Sequence, residues 1–159
     1  DPAGVNAAQG HADEEAVARV LTHPFFSLKP PKSLDRNDFR AWVAAEARLS
    51  DKSMVDGAAT LTAITAASVA AIVALLPSPP RTWIVAGGGA QNVTLMRMLA
   101  QRLAPATVET ASAAGWNSDS VEAQAFAYMA VRNLRGLPIT FPTTTGVAEP
   151  IPGGVLVRP

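Results

Sequence analysis

The segment best suited to hold a ligand is Gly87-Gly88-Gly89-Ala90-Gln91-Asn92, which follows the apolar run Thr82-Trp83-Ile84-Val85-Ala86. Three consecutive residues without a Cβ let the backbone come close to a bound molecule. The helix that must start just after them offers unpaired N–H groups and a partial positive charge, a combination suited to phosphate. The spacing is not the dinucleotide fingerprint, because the final glycine of G-x-G-x-x-G would fall on Asn92. Nor is it a Walker A loop, since no Gly-Lys-Ser/Thr follows. A tight strand-to-helix turn with Asn92 as helix cap accounts for the same residues, and both readings stand at this point.

Glu122 is the second candidate. In Asp119-Ser120-Val121-Glu122 it takes the reciprocal place of a capping box led by Asp119. A carboxylate at a helix start can also face a cleft and accept hydrogen bonds from sugar hydroxyls, and the two roles are compatible. Lys32 and Arg36 flank a Pro-Pro-Lys-Ser loop; either could neutralise phosphate, though basic residues beside a proline loop are usually solvated. Asp35 and Asp38 are carboxylates of unset geometry. Thr62, Thr65 and Ser68 recur every third residue, and their hydroxyls can bond back to carbonyls one turn earlier. Neither His11 nor His23 sits by a nucleophile motif. With no cysteine and two histidines, thiolate chemistry and a histidine-rich metal cluster are excluded. No catalytic or metal-binding residue is assigned.

The elements that must position these groups follow from periodicity. Residues 1–10 are small and polar and suit a short strand or a linker. Ala16, Val17, Val20 and Leu21 predict a short helix over 13–21 that ends before Pro24. The stretch 23–33 is broken by prolines and is expected to be irregular, with Phe25 and Phe26 pinning it to a core. Phe39, Trp42 and Val43 mark a helix over 35–49, and Leu61, Ile64, Ile72 and Leu75 a long one over 54–76. Residues 82–86 read as a strand, followed by a helix with Leu95, Met96, Leu99 and Leu103 on its buried face and Pro105 as its stop. A second strand is expected at 107–110, a helix from Asp119 to about Leu134 ending at Gly136, and an edge strand at 155–157. Strand, helix, strand, helix implies an α/β layer structure with parallel pairing.

The chain has 159 residues, enough for one domain with a substantial core. Thirteen basic residues balance thirteen acidic ones, so no net field draws it to nucleic acid or to anionic lipid. Residues 57–80 carry no charge and are long enough to span a bilayer. Their alanines, with Thr60, Thr62, Thr65 and Ser68, argue for a buried soluble helix instead. Acidic residues at 13–15 precede any apolar run, which does not match a signal peptide, and the opening Asp1-Pro2-Ala3-Gly4 reads like sequence from within a longer protein.

Taken together, several segments in this order resemble the anhydro-N-acetylmuramic acid kinase family. They are His23-Pro24-Phe25-Phe26 with Pro30-Pro31-Lys32-Ser33 and Asp35-Arg36-Asn37-Asp38-Phe39; Ala59-Thr60-Leu61-Thr62-Ala63-Ile64-Thr65-Ala66; Gly87 through Met96; Val121-Glu122-Ala123-Gln124-Ala125-Phe126-Ala127; and Gly136-Leu137-Pro138. The resemblance covers nearly the whole chain. It implies the actin-like, sugar-kinase and Hsp70 superfamily, in which two lobes of ribonuclease-H-like fold enclose ATP. Residues 1–159 would be the C-terminal, nucleotide-side lobe, an incomplete sheet flanked by helices, with the N-terminal lobe absent.

The implied activity is cleavage of 1,6-anhydro-N-acetylmuramic acid with water and phosphorylation of O6 by ATP and Mg²⁺. It gives N-acetylmuramic acid 6-phosphate in peptidoglycan recycling in the bacterial cytoplasm. Gly87, Gly88 and Gly89 would border the adenosine and phosphate side of ATP, Asn92 would cap the following helix, and Glu122 would touch the sugar. The family's Gly-Thr-Ser phosphate loop and its Asp-Thr-Gly-Pro-Gly-Asn segment are not in this sequence. The chain alone is therefore expected to be inactive, since phosphoryl transfer needs groups on both sides of the phosphates. Its expected partners are ATP, the anhydro amino sugar and its own N-terminal lobe. An exposed sheet edge leaves self-pairing into a homodimer open. A non-catalytic nucleotide-binding or regulatory module of the same fold, and a sugar kinase with another substrate, are the competing readings.

Overall fold

A computed structural model describes residues 1–117 and 120–157. The chain opens with a 3₁₀ turn at Pro2–Gly4, then α1 (Val5–Gln9) and α2 (Glu14–Val20), capped by the Asp13 carboxylate on the Ala16 N–H at 2.9 Å. The strand or linker expected over 1–10 is thus a helix. The Asp1 carboxylate takes the N–H groups of Asn6 and Ala7, which gives these small residues a start signal that the apolar pattern lacks. Pro24–Ser27 forms one 3₁₀ turn inside the proline-broken stretch. Next is α3 (Arg36–Glu46), capped by Asp35 on the Asn37 N–H.

The central element is α4 (Met54–Ala70), continued by a 3₁₀ segment to Leu75. Its buried face is Ala59, Thr60, Ala63, Ile64, Ala66 and Ala67, whereas Leu61, expected in the apolar stripe, is exposed. Small side chains let α1, α2 and α5 (Val93–Arg102) approach α4 closely, so alanine is favoured where periodicity alone suggests leucine. Thr62 and Thr65 donate to the carbonyls of Ala58 and Leu61, as expected, and Thr60 donates to that of Asp56. The Ser68 hydroxyl, expected to do the same, is instead buried without a hydrogen-bond partner among the described residues. By length and composition Met54–Leu75 could cross a membrane. Here Ala63, Ile64 and Ala67 join Val17, Val20, Val43 and Ala47 in one core cluster, so the helix is a packing axis.

Strands β1 (Thr82–Val85) and β2 (Thr107–Thr110) pair in parallel, Trp83 opposite Val108 and Val85 opposite Thr110, with α5 as the crossover between them. Trp83, Val85 and Val108 turn toward Ala66, Leu99 and Leu103 in a second core cluster. The protein is α/β, with a two-stranded parallel sheet flanked by helices.

After the sheet come α6 (Val121–Leu134) and the single turn α7 (Pro142–Thr145). Gly136 follows α6 at φ 63°, the left-handed conformation expected of a helix stop. Val155–Val157 is not the expected edge strand: the three side chains are exposed, and the local pairing is an antiparallel bridge between Thr140 and Ile151. Alternating β-branched residues give strand propensity, but they need a neighbouring strand to pair with.

Candidate functional site

Strand β1 delivers the chain to Gly87, whose φ of 75° and ψ of −171° are open to glycine and strained for any other residue. Gly88–Gln91 then winds a 3₁₀ turn, with Ala90 N–H bonded to Gly87 O and Asn92 N–H to Gly89 O, each at 3.1 Å. The N–H groups of Gly88 and Gly89 head this turn and enter neither bond. All three glycines are exposed, and a Cβ built on Gly87 or Gly88 would meet no atom within 4 Å. The turn is therefore an open backbone cradle. Asn92 is the N-cap of α5, its Oδ1 accepting from the Leu95 N–H at 2.9 Å, as its side-chain chemistry implies.

The first residues of the chain pack directly behind this cap. Thr94, 4% exposed, donates its hydroxyl to the Gly4 carbonyl at 2.8 Å. A Cβ on Gly4, whose φ is 75°, would lie 2.2 Å from Asn92 Oδ1. Position 4 needs glycine for both conformation and space. Sequence reading missed Gly4 and Thr94 as supports of the turn, and a lone glycine and a lone threonine ninety residues apart give no signal for it.

Glu122 occupies the first turn of α6 and is exposed. Among the described residues no hydrogen bond or ion pair joins it to Gly87–Asn92. Asp119, expected as its capping partner, lies outside the described residues. Ser120 takes the cap position, but its hydroxyl accepts from the Gln124 side chain and donates to the Asn117 carbonyl, so it caps no backbone N–H. Lys32 is held by its own loop. Its ammonium donates to the Phe25 carbonyl at 2.8 Å and sits 4.4 Å above the Phe25 ring. Arg36 is exposed at the start of α3, and the Asp35 carboxylate serves as a cap. His23 accepts the Phe25 N–H on Nδ1 and meets the Trp42 ring edge-on.

The most shifted carboxylate lies elsewhere. Asp13 is held down at about 2, first by the hydrogen bond from Lys52 and next by the Ala16 N–H. Asp56 is also lowered, by the His11 N–H and the Ser53 hydroxyl. Both anchor segments around α4. A cavity of about 660 Å³ lined by Val73, Pro79, Arg81, Trp83, Arg102 and Pro105 opens where β1 and β2 begin. The glycine turn follows the carboxyl end of β1, the end of a parallel sheet at which ligands bind in open α/β folds.

A sequence model of the anhydro-N-acetylmuramic acid kinase family matches residues 1–158. This chain belongs to that family. It is 57% identical over 159 residues to the anhydro-N-acetylmuramic acid kinase of Rhodopseudomonas palustris (strain HaA2), covering all of this chain and 42% of that protein. The protein of the same name from Azorhizobium caulinodans is 58% identical over 159 residues, with 43% of its length covered. That from Methylorubrum populi is 51% identical, with 41% covered. The family chain described here thus spans about two-fifths of the length of these relatives.

Proposed function

We propose that this family member is the C-terminal, nucleotide-side lobe of a two-lobed ATP-dependent kinase of actin-like, ribonuclease-H-type fold. The rest of the longer protein would supply the N-terminal lobe. The observation that carries the reading is the open glycine turn at the carboxyl end of β1, inside a chain matched by the family from residue 1 to 158. The complete enzyme would open the 1,6-anhydro bridge of anhydro-N-acetylmuramic acid with water and phosphorylate O6, giving N-acetylmuramic acid 6-phosphate in the bacterial cytoplasm.

In this reading Gly87, Gly88 and Gly89 admit the adenosine and phosphate side of ATP because no side chain fills the turn. Asn92 holds the first turn of α5 in place, and the N–H groups heading it favour negative charge. Glu122 would accept hydrogen bonds from the sugar once the second lobe closes. Mg²⁺ is the usual bridge between ATP phosphates. The residues present do not fit a metal: Gly87–Asn92 holds no carboxylate, and the described residues hold no cluster of three or more His, Cys, Asp or Glu. No step is assigned to a metal on this chain.

The test incubates the complete source protein, and this chain beside it, with Mg-ATP and 1,6-anhydro-N-acetylmuramic acid. Mass spectrometry then looks for N-acetylmuramic acid 6-phosphate. Product from the complete protein alone is the expected result. Absence of product from the complete protein would overturn the assignment of this substrate and favour a kinase for another sugar, or, if other sugars also fail, a non-catalytic module. Micromolar ATP binding by this chain in calorimetry would contradict its dependence on a second lobe.

A further inference from the structure

We infer that one face of α6 is the seat of an apolar element supplied by the part of the longer protein beyond these 159 residues. The inference rests on the two-lobed reading above and names the surface that joins the lobes. Ala123, Phe126, Ala127, Ala130, Val131 and Leu134 recur at i, i+3, i+4, i+7, i+8 and i+11, the stripe that an amphipathic helix lays against a core. All six are exposed, Phe126 at 62% and Leu134 at 63%, and α6 buries none of its residues. A fourteen-residue helix is marginal in water without packing, so this stripe needs a partner.

The chain's own tail does not provide one. It lies along a different side of the helix, where Arg132 donates to the Pro138 carbonyl and Asn133 stands beside Gly154. The stripe carries no charge, which suits an apolar protein surface. Its three alanines lie among Phe126, Val131 and Leu134, leaving room for close approach. A lipid surface is less suited, because the basic residue of α6, Arg132, is turned to Pro138 and Tyr128.

The sheet bears a second uncovered surface. Trp83 and Val85 face the core, while Ile84, on the opposite side of β1, is 40% exposed. Parallel sheets are covered on both faces. One adjoining lobe can cover two unlike surfaces, whereas a two-fold dimer covers one self-complementary patch. The relatives have more than half their length beyond the matched region, ample to form that lobe.

The test places Ala130→Cys in the complete protein with its other cysteines replaced, and follows thiol labelling under native conditions and in urea. The native rate should fall at least ~100-fold below the unfolded rate, independent of protein concentration. A native rate within about threefold of the unfolded rate would overturn the inference. Protection that disappears on dilution together with a dimer in sedimentation would overturn it in favour of a second copy. Ala127→Cys provides an independent reading if Ala130→Cys does not fold. Labelling needs no turnover, so a protein that proves inactive on the sugar but protects α6 would remove the proposed activity and leave this interface standing.

Discussion

Thr94 donates its hydroxyl to the carbonyl of Gly4 across 2.8 Å, tying the first turn of the chain to the start of α5 ninety residues later. The bond is buried, but the same carbonyl also opens α1 as its cap residue, so Thr94→Val removes one hydrogen bond without orphaning the acceptor and should cost about 0.5–1.5 kcal/mol. Gly4→Ala should cost about 2 kcal/mol or more, because its Cβ would be driven into Asn92 at a positive φ. Urea unfolding of this chain checks both. A Gly4→Ala midpoint equal to that of the parent would refute the packing described at the cap.

Gly88 offers a probe of the turn that leaves the fold alone. A side chain there meets nothing within 4 Å and φ is not positive, unlike Gly87. In the complete protein Gly88→Val should keep the parent's thermal midpoint and raise KM for ATP about tenfold, a loss of ~1.4 kcal/mol. An unchanged KM with an intact fold would take the turn out of the nucleotide site.

Acid sensitivity should depend on Asp13. Its folded-state value of about 2 lies below its ordinary value of 3.8, so folding favours the ionised form. The stability it contributes is complete above about pH 4 and is lost as pH falls from there toward 2. Asp56 is shifted in the same direction and adds to the loss. Asp13→Asn should flatten the fall of the urea midpoint between pH 5 and pH 2 (both set by the linkage window). A parent and a variant that lose stability in parallel would show that the Lys52 pairing is not the cause.

The alanine face of α4 should resist enlargement. Ala63 is 1% exposed and sits in the cluster that α2 and α3 share with α4. Ala63→Leu should destabilise the chain by about 1–3 kcal/mol through overpacking. Ala58→Leu, at a half-buried position of the same helix, should cost less. Equal costs in denaturant unfolding would mean that the close approach of helices to α4 is not limiting.

The sequence by itself determined the local elements of this protein. Asn92 and Asp35 carry their caps in their side chains, Leu95, Leu99 and Leu103 mark the face of α5 by spacing, and Gly136 supplies the stop of α6. Helix caps and periodicity are decided by residues within a few positions of one another, so one chain read in order is enough. The openness of the glycine turn, the Gly4–Thr94 support behind it, the alanine core of α4 and the failure of 155–157 to become a strand were decided by the tertiary structure alone. Each depends on which distant backbone comes close, and a side chain's spacing along the chain does not encode that. Glu122 follows the same rule: the sequence puts it and the glycine turn at helix starts, and whether two helix starts meet is a matter of tertiary placement.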